Sequence, residues 1–92
     1  MADVIITMNI MPESPDVDLE AIKNHSLNKI KEFSGMDNYK TEEEPLAFGL
    51  KAVKIIFVMK EDKGSTDSLE EDINTIEGVN SVEVTDVRRA IG

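Results

Sequence analysis

Apolar residues fall on every second position in two stretches of this chain, and that alternation sets most of what it can fold into. From Val4 to Met11, the residues Val4, Ile6, Met8 and Ile10 share one face, while Ile5, Thr7 and Asn9 share the other. From Leu50 to Lys60, Val53, Ile55, Phe57 and Met59 oppose Lys54, Ile56 and Val58. A period of two is the mark of a β-strand with a buried face. Both runs also carry apolar residues on the second face, so both belong among the well-buried strands of a sheet.

The segments between them change period. Pro12-Glu13-Ser14-Pro15-Asp16 forms a loop, and Asp18 is placed to cap a helix, with Val17 and Ile22 as its hydrophobic staple. Leu19, Ile22, Ile30 and Phe33 make one stripe at helical spacing, broken by Ser26 and flanked by Leu27, and Ser34-Gly35 ends it. Tyr39 to Glu44 alternates weakly and runs into Pro45, as suits an exposed edge strand. After a polar loop from Glu61 to Gly64, Ser65, Thr66 or Asp67 caps a second helix through Ile76. Its stripe is Leu69, Ile73 and Ile76, and Gly78 occupies the expected left-handed position after it. A last strand is predicted from about Val79 to Val87, with Val82 and Val84 inward.

The order is therefore β-α-β-β-α-β. Two helices on one face of a four-stranded antiparallel sheet give an α+β, ferredoxin-like split β-α-β sandwich with strand order 4-1-3-2. That order puts the first and third strands in the middle, and they are the two most apolar. Residues 1–92 are read as one domain, a length that suits one core between a sheet and a helix layer but not a deep substrate cavity as well.

Composition narrows the chemistry. Nineteen acidic residues stand against ten Lys and Arg, a net charge of −9. That field repels phosphate backbones, so direct nucleic-acid binding is not expected, whereas a basic protein partner would be drawn in. The open sheet face offers Ile5, Thr7, Asn9, Lys54, Ile56 and Val58, with no aromatic on which a base would stack. The absence of cysteine removes disulfides and thiol chemistry and fits a reducing compartment. No run approaches membrane-spanning length and the N-terminus lacks a basic signal region, so the cytoplasm is the expected location.

No catalytic, cofactor or metal residues are assigned. His25 is the only histidine and has no partner at ligand spacing. Glu42-Glu43-Glu44 lies on a strand, where successive side chains point to opposite faces and do not converge on a cation. Lys63-Gly64-Ser65-Thr66 has neither the order nor the second glycine of a phosphate-binding loop. Asn24-His25-Ser26 has the pattern of a glycosylation acceptor but falls mid-helix.

Several segments are not explained by folding alone: Met11-Pro12-Glu13-Ser14-Pro15 with Val17-Asp18-Leu19-Glu20, and Pro45-Leu46-Ala47-Phe48-Gly49-Leu50-Lys51 above all. Ser65-Thr66-Asp67, Ile76-Glu77-Gly78-Val79 and Ser81 to Val87 complete the set. In this order and spacing they closely resemble the archaeal elongation factor 1-beta family, and more distantly the C-terminal exchange domain of the eukaryotic factor. The resemblance spans nearly the whole chain and is weakest from about His25 to Tyr39. It implies a guanine nucleotide exchange factor, acting without covalent chemistry on the translational GTPase elongation factor 1-alpha. A monomer is expected.

The resemblance also implies site residues. Phe48, in the Pro-x-x-Phe-Gly turn, corresponds to an aromatic that engages the GTPase in eukaryotic relatives, with Gly49 and Lys51 beside it. Those relatives carry a lysine near the C-terminus that perturbs the magnesium site. This chain departs from them, closing with Arg88-Arg89-Ala90-Ile91-Gly92, so the resemblance leaves two readings: Arg88 or Arg89 supplies the cation, or the archaeal mechanism dispenses with it. In this topology the Phe48 turn and the two arginines lie at opposite ends of the sheet, roughly 25 Å apart for an eight-residue strand. The alternative is a small-ligand-sensing or assembly domain of the same fold, which a glycine-rich first strand–helix loop would favour; here that loop holds Pro12 and Pro15.

Overall fold

The structure, a computed structural model, describes residues 3–35 and 37–90. Strands β1 (Asp3–Pro12), β2 (Tyr39–Pro45), β3 (Lys51–Lys60) and β4 (Val79–Arg89) alternate with helices α1 (Leu19–Ser34) and α2 (Asp67–Asn74) in the expected order. The sheet runs β2-β3-β1-β4 with every neighbouring pair antiparallel, the ferredoxin-like arrangement. Met8 stands opposite Ile55, Ile6 opposite Phe57 and Ile10 opposite Val53. All six are buried, so the register of the two central strands matches their inward faces. Ile22, Ile30, Leu69 and Ile73 of the helices close the same core from above. Edge strand β2 is exposed except at half-buried Thr41.

Helix α1 begins and ends as its sequence requires. Asp18 Oδ1 accepts from the N–H groups of Glu20 and Ala21 at 3.1 and 3.2 Å. Gly35, at φ 71°, donates its N–H to Lys31 O at 2.8 Å. Its buried line differs from the expected stripe: Ile22, Ser26, Ile30 and Ser34 are buried, while Leu19, Leu27 and Phe33 pack only partly against the core. Short side chains under the helix let it lie close to the sheet. Ser26 is 0% exposed, and its Oγ has no hydrogen-bond partner. Ser26→Ala is therefore expected to stabilise the protein by about 1 kcal/mol, since it removes an unsatisfied hydroxyl and adds helix propensity. A lowered denaturation midpoint would show that the hydroxyl is satisfied after all.

Helix α2 is shorter than predicted. It ends at Asn74, where Thr75 donates both its Oγ1–H and its N–H to Asp72 O, at 2.6 and 3.2 Å, tightening the last turn. Gly78 is thus not the helix cap. It is the third residue of a turn closed by Val79 N–H on Ile76 O at 3.1 Å, with φ 92°. That turn presses on the start of α1: a Cβ on Gly78 would sit 3.4 Å from Val17 and 3.5 Å from Ile22, and Gly78 O accepts from Glu13 N–H at 2.8 Å. The positive φ of this turn calls for glycine, while Val17 and Ile22 stand at ordinary contact distance.

Strand β4 extends past its expected end to Arg89 and is not evenly paired. Thr7 stands opposite Asp86 and Met8 opposite Val84, leaving Thr85 as an extra residue, a β-bulge. Before it, Val82 and Val84 face the core, as predicted. After it the parity inverts: Val87 and Arg89 oppose Ile6 and Val4 on the helix side, while Asp86 and Arg88 oppose Thr7 and Ile5 on the open side.

Candidate functional site

The strand-2 to strand-3 hairpin closes with Pro45 paired to Lys51, followed by Leu46 N–H on Leu50 O at 2.7 Å. At its tip, Leu50 N–H donates to Ala47 O at 3.3 Å around two residues of positive φ, Phe48 (62°) and Gly49 (76°). Such left-handed pairs make the hairpin turns that Gly, Asn and Asp fill most readily. An aromatic there carries a backbone cost of roughly 1–2 kcal/mol. Nothing in the fold repays it, because Phe48 is 92% exposed and its ring does not pack beneath its own turn. Gly49 faces Pro15, so the tip and the Pro12–Pro15 loop flank a cleft of about 270 Å³ that Leu19 and Lys51 also line. Lys51 is exposed, with its Nζ 3.9 Å from Glu43.

Phe48, Gly49 and Lys51 thus form one protruding feature. Arg88 and Arg89 lie at the other end of β3, whose ten residues span about 30 Å at about 3.3 Å each. As neighbours on β4 the two arginines point to opposite faces, and the bulge decides which face each one takes. Arg88 Nε lies 2.8 Å from Asp86 Oδ2 on the open face, while Arg89 contacts Glu61 on the helix side. Arg89 and Glu61 border a cleft of about 540 Å³ floored by Val4, Ile6, Met59 and Val87. Val87 is 60% exposed there. Glu61 and Val87 escaped the sequence reading. The available signal was the switch from even-numbered Val82 and Val84 to odd-numbered Val87, which announces a bulge.

Among the described residues no group of three or more His, Asp or Glu is placed to hold a metal ion, and no helix is long and apolar enough to cross a membrane. His25 is exposed on α1. The open sheet face pairs Ile5 with Val58, Thr7 with Ile56 and Asn9 with Lys54, without an aromatic among them.

A family model described as the EF-1 guanine nucleotide exchange domain matches residues 5–90. Elongation factor 1-beta of Methanothermobacter thermautotrophicus is 49% identical, over 97% of this chain and 98% of the relative. The protein of the same name from Methanobrevibacter smithii is 47% identical over 97% and 98%. That of Metallosphaera sedula is 40% identical over 97% of each.

Proposed function

This chain belongs to the EF-1 guanine nucleotide exchange domain family, and from that premise we propose that it speeds the release of GDP from elongation factor 1-alpha so that GTP can rebind. The match across residues 5–90 carries the proposal. Exchange is a binding process that calls for no nucleophile or general base. By linkage, a protein that binds the nucleotide-free GTPase more tightly than the GDP-bound form lowers the GTPase's affinity for GDP by the same factor.

The geometry supports a two-ended mode of action. Phe48 anchors the GTPase at one end, as an exposed aromatic held out by a strained turn. An arginine at the other end disturbs the phosphate and magnesium site. Because the two lie the length of a strand apart, binding energy gained at the first is available for distortion at the second. The protein acts as a single copy in the cytoplasm, and its net charge of −9 favours encounter with a basic partner face.

Fluorescent GDP preloaded on elongation factor 1-alpha provides the test. Substoichiometric amounts of this protein should accelerate loss of the signal in a concentration-dependent way, while the protein alone binds no GDP. Unchanged release across a range of magnesium concentrations would overturn the proposal.

A further inference from the structure

We propose that Glu61 is a positioning residue that orients Arg89, and that Arg89 rather than Arg88 is the arginine through which this end of the molecule acts. The inference rests on the exchange function proposed above and goes beyond it in naming the working cation and what holds it.

Glu61 directly follows Lys60, the last residue of β3, which pairs with Asp3 through the ladder and through a 3.1 Å contact between Lys60 Nζ and Asp3 Oδ1. Its own carbonyl accepts Gly64 N–H at 3.3 Å, and the far side of the corner is held by Ala90 N–H on Asp3 O at 2.8 Å. The Glu61 backbone is therefore fixed against the strand that carries Arg89. Among the described residues, Arg89 gives Glu61 one nitrogen, Nη2, through Oε1. A guanidinium has five N–H donors, so a single contact sets its orientation and leaves Nε and Nη1 free for an oxyanion.

The surroundings separate the two arginines. Arg89 stands on the rim of the cleft floored by Val4, Ile6, Met59 and Val87, apolar ground that a partner surface would cover. A cation beside such ground is desolvated on docking, and its contacts then gain strength. Arg88 lies on the opposite face with its Nε occupied by Asp86. With both carboxylates of these pairs 41–43% exposed, neither bridge carries much of the fold. Their removal reports on orientation rather than on folding.

The experiment compares Glu61→Gln, Arg88→Ala, Arg89→Ala and the double variant Glu61→Gln/Arg89→Ala in GDP release from elongation factor 1-alpha. Maximal rate, half-saturating concentration and melting temperature are read for each. Arg89→Ala should lower the maximal rate about tenfold or more, and Arg88→Ala should lower it less. Glu61→Gln should lower it about two- to fivefold, the scale of one exposed orienting contact, with melting temperature and half-saturation unchanged. In the Arg89→Ala background Glu61→Gln should cost nothing further, because its effect passes through Arg89. Equal slowing by Glu61→Gln in both backgrounds overturns the inference, as does a larger loss from Arg88→Ala. Normal exchange by the wild type and by Glu61→Gln sinks the inference alone. A wild type that releases no GDP sinks the exchange function and the inference with it.

Discussion

Phe48→Ala is expected to weaken binding to elongation factor 1-alpha at least tenfold, about 2 kcal/mol, without lowering the melting temperature. The side chain is 92% exposed, so its removal leaves no cavity and uncovers no core. The backbone argues in the same direction. At φ 62° any residue with a Cβ other than Asn or Asp is strained, and the ring offers no internal contact to offset that strain. Phe48→Asn should therefore match the alanine variant in lost affinity while gaining roughly 0.5–1 kcal/mol of stability, because Asn tolerates the left-handed region. Titration calorimetry and thermal melts on both variants suffice. Unchanged affinity would remove Phe48 from the site, and a fall in melting temperature would mean that the ring packs against its own chain.

The same substitution at Phe57 should do the reverse. Phe57 is 1% exposed in the middle of β3, between Ile6 and Tyr39 on the neighbouring strands. Truncation to alanine should cost about 3–5 kcal/mol, through lost burial and the void left under the helices. Domains of this size hold about 5–15 kcal/mol in total. The melting temperature should consequently fall by at least about 12 °C. Affinity measured on the remaining folded fraction should stay near wild type, because Phe57 reaches no surface. A loss of less than about 1 kcal/mol would mean that the core repacks around the gap.

The contrast between these two phenylalanines shows what could be read before the structure. Phe57 sits in an unbroken alternation, which fixes its face, and the same pattern located both central strands and hence the strand order. Asp18 and Gly35 were equally legible, because capping depends on a few adjacent residues. Where distant segments decide, local pattern misled. Gly78 looked like the end of a helix, yet its left-handed backbone belongs to a separate turn that packs against Val17 and Ile22, far away in the chain. Ser26 looked like a gap in the stripe of α1 and proved to be wholly buried, since the sheet below selects the face. The candidate site was half visible. The turn bearing Phe48 stood out as a segment without a folding role, but its left-handed backbone did not. Arg88 and Arg89, as neighbours on a strand, had to point to opposite faces, but the bulge at Thr85 decides which of them stands on the helix side.

That bulge makes the faces taken by the end of β4 depend on where an extra residue is taken up rather than on how many residues precede them. Deleting Thr85 alone would restore even pairing with β1 and remove almost no chemistry, since its exposed hydroxyl makes only a 3.5 Å contact with Thr7 O. Every side chain beyond would keep its partner and its side: Asp86 would still oppose Thr7, Val87 would oppose Ile6 and Arg89 would oppose Val4. Were Thr85 instead kept and drawn into even pairing opposite Thr7, Asp86 would stand over Ile6 and Arg88 over Val4, which puts a carboxylate on apolar ground and turns Arg89 away from Glu61. A relative one residue shorter at Thr85 would therefore present the residues that follow on the same faces as this chain does.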